Sequence, residues 1–143
     1  PGPAANGPST LSVQPAAGGT PKNIYTNPLR AVTTVRVVTP TTLLLLIENR
    51  TGDMKENGLW RIESDGSHLQ KLAADPGNSF SLSPFTQYDW SNVSRDNSMY
   101  VLRSHDPATG MSSLSSGSMS RGGLNSFAEV KTGDLFFVGW TAL

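Results

Sequence analysis

The apolar residues of this chain fall in short clusters separated by glycine, proline, serine, threonine and asparagine. No window carries them at the three-to-four-residue spacing of an amphipathic helix. From Ala31 onward the clusters have the length and character of β-strands. AVTTVRVV is β-branched and stops before Pro40, a residue with no amide to donate to a ladder. TLLLLIEN (residues 42–49) is an unbroken apolar run of strand length, the pattern of a strand covered on both faces. RTGDMKENG is a polar connection, and LWRIES (residues 59–64) is the next strand. Asp65-Gly66 then predicts a two-residue type I′ hairpin, whose central residues both need positive φ. SHLQKLA (residues 67–73) returns as the partner strand. It should bury Leu69 and Leu72, with a bulge where strict alternation fails.

The second half has the same rhythm. YDWSNV (residues 88–93), MYVLRS (99–104), SSLSSGSM (112–119), LNSFAEV (124–130) and LFFVGW (135–140) read as strands, joined by the turn-forming stretches SRDNS, HDPATG, SRGG and KTGD. Sliding the chain on itself by 55 residues aligns these centres. Val35 falls on Trp90, and Leu45, Leu46 and Ile47 fall on Tyr100, Val101 and Leu102. Leu59 falls on Leu114, Leu69 on Leu124, Leu72 on Phe127 and Ala73 on Ala128, while Phe80 and Leu82 fall on Leu135 and Phe137. The order of apolar strand centres and turns repeats, as in stacked β units. The predicted fold is all-β, with two antiparallel blade-like sheets of about four strands each.

Residues 1–29 differ in texture. They are rich in Pro, Gly, Ala, Ser and Thr and lack the apolar mass to offset the ordering entropy of the backbone, so they read as a flexible arm or linker. Within them TLSVQ and NIYTN alternate well enough to add a strand, which offers a second reading as an arm that pairs with a neighbouring subunit. The division expected is then 1–29 as arm, 30–85 as the first repeat and 86–143 as the second.

Composition narrows the function classes. Eleven basic and eleven acidic residues give zero formal charge, and no basic stripe is present, which argues against a nucleic-acid partner. There is no cysteine, so disulfides and thiolate metal sites are excluded. No stretch approaches the roughly 20 apolar residues of a membrane-spanning helix. The chain opens at Pro1 without a methionine or a signal peptide, which reads as a processed form or a segment of a longer protein.

GLWRIESDGSHLQKL (residues 58–72), followed by WSNVSRDNSMYVLRS (90–104), resembles the TolB-type, WD-like β-propeller repeat. That repeat runs as LW, then DGS, then LT, followed by WSPDG and an apolar strand ending in serine. Leu59, Trp60, Asp65, Gly66, Ser67 and Leu72 match the first part; Trp90, Ser91, Ser94, Asp96 and Ser104 match the second. Asn49, Arg50 and Gly52 follow the apolar run where the family has its strand-and-loop. Asn97 stands in place of the usual glycine, and Asn92, Val93 and Ser94 lengthen the spacing after Trp90-Ser91. The resemblance covers residues 43–104 and implies two propeller blades. A ring takes about 4 to 8 blades, so two need completion by further blades or by other copies, three copies giving a six-bladed ring.

Candidate chemistry is sparse. His68 reads as a solvated hairpin residue, and His105, beside Asp106, as a loop residue. No nucleophile elbow, zinc-protease motif or EF-hand loop is present, and SSLSSGSMSRGG has no phosphate-binding lysine. Asp53 and Glu56 lack the regular spacing of a calcium loop. Neither catalysis nor a metal or cofactor is expected. Asn49 and Asn92 begin glycosylation sequons. The binding candidates are aromatic: Phe85, Tyr88, Trp90 and Trp140, set against the reading that each tryptophan is core. The expected function is a non-enzymatic binding or scaffolding module of exported propeller-repeat type. It would sit in the periplasm, on the cell surface or outside the cell, and its partners would be other copies of itself, further blades or a glycan. The alternatives are a self-assembling structural subunit using edge strands and the N-terminal arm, a lectin-like oligomer, or the propeller part of a prolyl-oligopeptidase-like hydrolase.

Overall fold

The computed structural model describes residues 8–27, 31–49, 54–77, 79–82 and 92–141. The chain is all-β, with antiparallel sheets of four strands, and divides into two compact units, Pro1–Asn78 and Ser79–Leu143.

In the first unit, β3 (Ala31–Thr39), β4 (Thr42–Glu48), β5 (Gly58–Glu63) and β6 (Gln70–Ala74) form a simple antiparallel meander in chain order. A short 3-10 turn, Met54–Glu56, precedes β5. The apolar run behaves as its composition requires: Thr42 and every residue from Leu43 to Ile47 are buried. One face of this sheet carries Leu43, Leu45 and Ile62, in register across β4 and β5. Ile24 joins them, and Leu11, Val13, Tyr25, Val32 and Trp60 pack round the cluster.

Four of those residues come from the segment expected to be a linker. Its described part forms a hairpin, β1 (Ser9–Val13) with β2 (Lys22–Asn27), bulged between Leu11 and Ser12. The strands pair with each other, and the apolar side of the hairpin covers the first sheet. Composition pointed to a loose arm because proline, glycine and alanine dominate it. The few apolar residues present alternate, and that suffices to seat two strands on an existing surface.

The hairpin at Asp65-Gly66 is longer than expected. The Glu63 amide donates to the Ser67 carbonyl at 2.9 Å and the Gly66 amide to the Glu63 carbonyl at 2.9 Å. Only Gly66 of the pair has positive φ, +91°, which is the three-residue connection closed by a glycine bulge. Asp65 acts through its side chain, which accepts the Ser67 amide at 2.8 Å. His68 also lies at positive φ, so β6 starts only at Gln70, beyond Leu69. Leu69 is therefore 43% exposed, while β6 buries Leu72, as expected, together with Ala73. The expected bulge is present, as a register shift between Leu59 and Trp60.

The second unit repeats the meander with β7 (Phe80–Ser81), β8 (Met99–Asp106), β9 (Met111–Ser118) and β10 (Gly122–Val130). β7 pairs with β8 in this sheet, and the division between the units lies at 78/79. His105 stands within β8, not in a loop. Of YDWSNV, residues 88–91 lie outside the described residues; Val93 makes an isolated bridge to Tyr100, and Asn92 accepts the Val101 amide at 2.8 Å. Among the described residues the expected last strand, LFFVGW, joins no sheet, although the burial of residues 134–140 alternates as in a strand. Asp134 pairs with Arg103, and Trp140 lines a cleft with Met99. Arg103 and Met99 are four apart on one face of β8, so this stretch runs along that face.

The repeat at offset 55 holds in three strands of each sheet. Leu45, Leu46 and Ile47 on β4 correspond to Tyr100, Val101 and Leu102 on β8, and all six are buried. Leu59 on β5 corresponds to Leu114 on β9, and Leu72 on β6 to Phe127 on β10. Val35 of β3 falls on Trp90, which lies outside the described residues.

The middle of the second sheet is built of serines. Leu114 is the one large apolar residue in β9 to be buried, with Ser112 and Gly117. Gly117 is opposite Tyr100, and the Tyr100 ring fills the space that a side chain at 117 would take. The phenol donates to the Gly123 carbonyl at 2.7 Å, which ties β8 across β9 to β10.

Candidate functional site

Three aspartates organise turns at strand ends, each by the same local chemistry. A carboxylate accepts amide or hydroxyl hydrogens two or three residues on, and so fixes the turn. Asp65 takes the Ser67 amide; Asp106 takes the Ala108 amide at 2.9 Å and the Thr109 hydroxyl at 2.7 Å. Asp96 is the most heavily bonded. Its Oδ1 accepts the Ser94 hydroxyl at 2.6 Å, the Ser98 amide at 3.1 Å and the Ser98 hydroxyl at 2.8 Å, and its Oδ2 also accepts the Ser98 hydroxyl at 2.8 Å. These bonds, the Ser94 hydroxyl first, hold the Asp96 carboxyl down to about 2. Asp65 is lowered chiefly by Ser67 and Asp106 chiefly by the Thr109 hydroxyl. Asn97 sits at φ 57°, the left-handed conformation that glycine or asparagine adopts most readily.

Two clefts open beside these turns, one in each unit. The larger, about 530 Å³, is lined by Ser94, Arg95, Asp96, Ser98, Met99, Trp140 and Thr141. Trp140 is 37% exposed, and its ring is set edge-on to Phe137 with centroids 5.4 Å apart. The cleft thus joins a partly bare indole, an ionised carboxylate, three hydroxyls and a guanidinium. That mixture suits a ligand with an apolar face and a hydroxylated rim.

The second cleft, about 460 Å³, is lined by Thr41, Arg61, Glu63, Ser64, Asp65, Ser67 and His68. Two of its charges are paired with each other: Arg61 Nη2 reaches Glu63 Oε1 at 2.7 Å, and Glu63 Oε2 accepts the Thr42 hydroxyl at 3.0 Å. Ser67 Oγ and His68 Nδ1 share a hydrogen bond of 2.9 Å. That contact uses the ring nitrogen that a serine-histidine-aspartate relay reserves for its carboxylate, so it is not the geometry of an activated nucleophile.

Of the four aromatic candidates, Trp140 alone can be placed, at the rim of the larger cleft; Phe85, Tyr88 and Trp90 lie outside the described residues, as do Asp53 and Ser91. Trp60 packs on the core of the first unit, with Lys71 Nζ 4.9 Å from its ring centre and its indole N–H donated to the Glu56 carbonyl at 2.8 Å. His68 and His105 are exposed, and His105 Nδ1 contacts Ser112 Oγ at 3.1 Å. Among the described residues no three His, Cys, Asp or Glu side chains converge as a metal site would require, and no helix is long and apolar enough to cross a membrane. Asn49 is 5% exposed, so its sequon is closed to modification in the folded chain; Asn92 is half-buried and donates to the Val101 carbonyl at 3.2 Å.

Sequence reasoning passed over Ser98, which sits with Ser94 and Asp96 in an S-x-D-x-S spacing, and Asn57, described below. The signal for the first was present: serines two residues either side of an aspartate before an apolar strand are the composition of a side-chain-stapled turn. No family model, curated protein or solved structure matches the chain.

Proposed function

We propose that this chain is a non-enzymatic binding or scaffolding module of exported, propeller-repeat type, completed by further blades or by other copies of itself. The observation that carries this reading is the exposure of large apolar side chains on an edge strand of each sheet and on the stretch that follows β10. Val37 of β3 is 74% exposed, Phe127 of β10 is 55% exposed, and Val138 in the stretch along β8 is 67% exposed. Such surface is unfavourable in water, and contact with another protein would cover it. Two further features support the propeller component. Consecutive four-stranded meanders with offset-55 partners in equivalent strands are what tandem blades would present. Asn97 adopts a left-handed φ at the position where the repeat uses glycine.

The test is light scattering on the full chain across a concentration series, beside Val37→Asp and Phe127→Asp. Self-association that weakens in either variant is expected. A chain that stays folded and strictly monomeric at its highest soluble concentration would remove completion by copies of itself.

The Trp140 cleft favours a second reading, as a binder of hydroxylated ligands such as sugars. Glycan-array binding that disappears in Trp140→Ala, with an unchanged circular dichroism spectrum, is the expected result; a blank array disposes of it.

A further inference from the structure

Asn57 is fully buried between the end of β4 and the start of β5. Its side-chain oxygen accepts the Asn49 amide at 2.7 Å, and its side-chain nitrogen donates to the Asn49 carbonyl at 2.9 Å and contacts Met54 Sδ at 3.2 Å. The carboxamide thus reproduces a backbone pair, extending the β4 ladder by one rung where the strand leaves the sheet. Only asparagine offers an acceptor and a donor at this reach without a charge. The next residue is equally constrained. Gly58 has φ +136°, and a Cβ there would lie 2.0 Å from the Ala73 carbonyl oxygen. The fold therefore requires Asn followed by Gly, the dipeptide in which a side-chain amide is most open to attack by the following backbone nitrogen.

We propose that Asn57-Gly58 is a deamidation site, silent in the folded chain, whose conversion on unfolding prevents return to the native sheet. In the open chain the Gly58 nitrogen bonds to Asn57 Cγ, ammonia leaves, and a five-membered succinimide forms. Water then opens the ring at one of its two carbonyls, giving aspartate or isoaspartate. No oxidant or reductant takes part. In the fold the reaction is blocked, because both polar atoms of the side chain are held by Asn49, the Asn57 carbonyl accepts the Asp75 amide at 3.0 Å, and Gly58 is paired with Ile47 and Ala74. After conversion, an aspartate presents a carboxylate to the Asn49 carbonyl and has no hydrogen to donate, while an isoaspartate shifts the ladder register by one backbone atom.

Incubating the full chain in native buffer and in concentrated urea, at one mildly alkaline pH and temperature, tests this by peptide mass mapping and refolding. Conversion at Asn57 should be slower in native buffer by a factor of about ten or more, since it then waits on local opening. On dilution from urea, the fraction that regains the native spectrum should fall in step with conversion at Asn57. Asn6-Gly7 is a second such pair, so the Asn6→Ser variant, refolding with the same loss, assigns the effect to Asn57. Equal conversion rates in the two buffers would overturn the protection, and converted chains that refold to the same urea midpoint would overturn the block.

Discussion

Asn57→Ala should lower the stability of the first unit by about 3 kcal/mol, read as the shift in its urea midpoint. Two hydrogen bonds are lost, and the Asn49 amide and carbonyl that they served are left buried, at about 1–3 kcal/mol for each such group. Asn57→Asp separates the parts of this effect. The carboxylate keeps the acceptor for the Asn49 amide but faces the Asn49 carbonyl with no proton, so the buried charge favours the protonated acid. Its pKa in the fold then lies above that in the unfolded chain, so the variant gains stability as pH falls and loses it as pH rises through the folded value. Asn57→Ala should show no such recovery on acidification. A midpoint within the error of wild type for either variant at neutral pH would mean that the bridge to Asn49 contributes nothing to folding.

Gly117→Ala should be as damaging in the second unit. A Cβ at 117 would sit 2.1 Å from the Gly123 carbonyl oxygen and 2.4 Å from both Cζ and Oη of Tyr100. Either β10 moves away from β9 or the tyrosine leaves its site, and overpacking of this kind typically costs about 1–3 kcal/mol, more where backbone is the obstacle. Tyr100→Phe is milder, about 1 kcal/mol for the lost bond to the Gly123 carbonyl. The same burial raises the Tyr100 hydroxyl from 10.0 to about 12. A raised folded value means that the stabilisation from the neutral phenol is complete below pH ~10 and is lost as pH climbs toward 12, where the unfolded chain ionises first. Tyr100→Phe should remove that part of the alkaline decline. A Gly117→Ala protein with an unaltered midpoint, or wild type and Tyr100→Phe declining in parallel, would place the phenol elsewhere.

Much of the architecture was legible because β-strands advertise themselves through chemistry that is local. The apolar run in β4 required cover on both faces, and β8 and β10 began within two residues of where the pattern put them. The errors arose where the determining contact is distant. Leu69 looked like a core residue by spacing, but a positive φ at His68 delays the strand past it. LFFVGW has every mark of a strand, yet alternation says nothing of whether a partner strand lies alongside. The N-terminal hairpin was masked by its own composition, because its strands gain order from the sheet they cover. Asn57 left only an Asn-Gly signature, which reads as a turn; that it caps one strand and begins another is visible only once Asn49 is placed beside it. The larger cleft joins Trp140 to a turn more than forty residues away, a proximity that no local pattern encodes.

The strand with every residue from 42 to 47 buried also bears on the life of the chain before it folds. Leu43, Leu44, Leu45, Leu46 and Ile47 form an uncharged, strongly hydrophobic segment with no proline, which is prone to associate with its own copies when exposed. During synthesis it emerges ahead of β5, the neighbour that shields one of its edges, so a nascent chain displays it bare for as long as the ribosome takes to deliver residues 58–63. Substitutions that slow the docking of β5 should therefore first be felt as chaperone demand and insoluble product, well before any defect in what the finished protein binds.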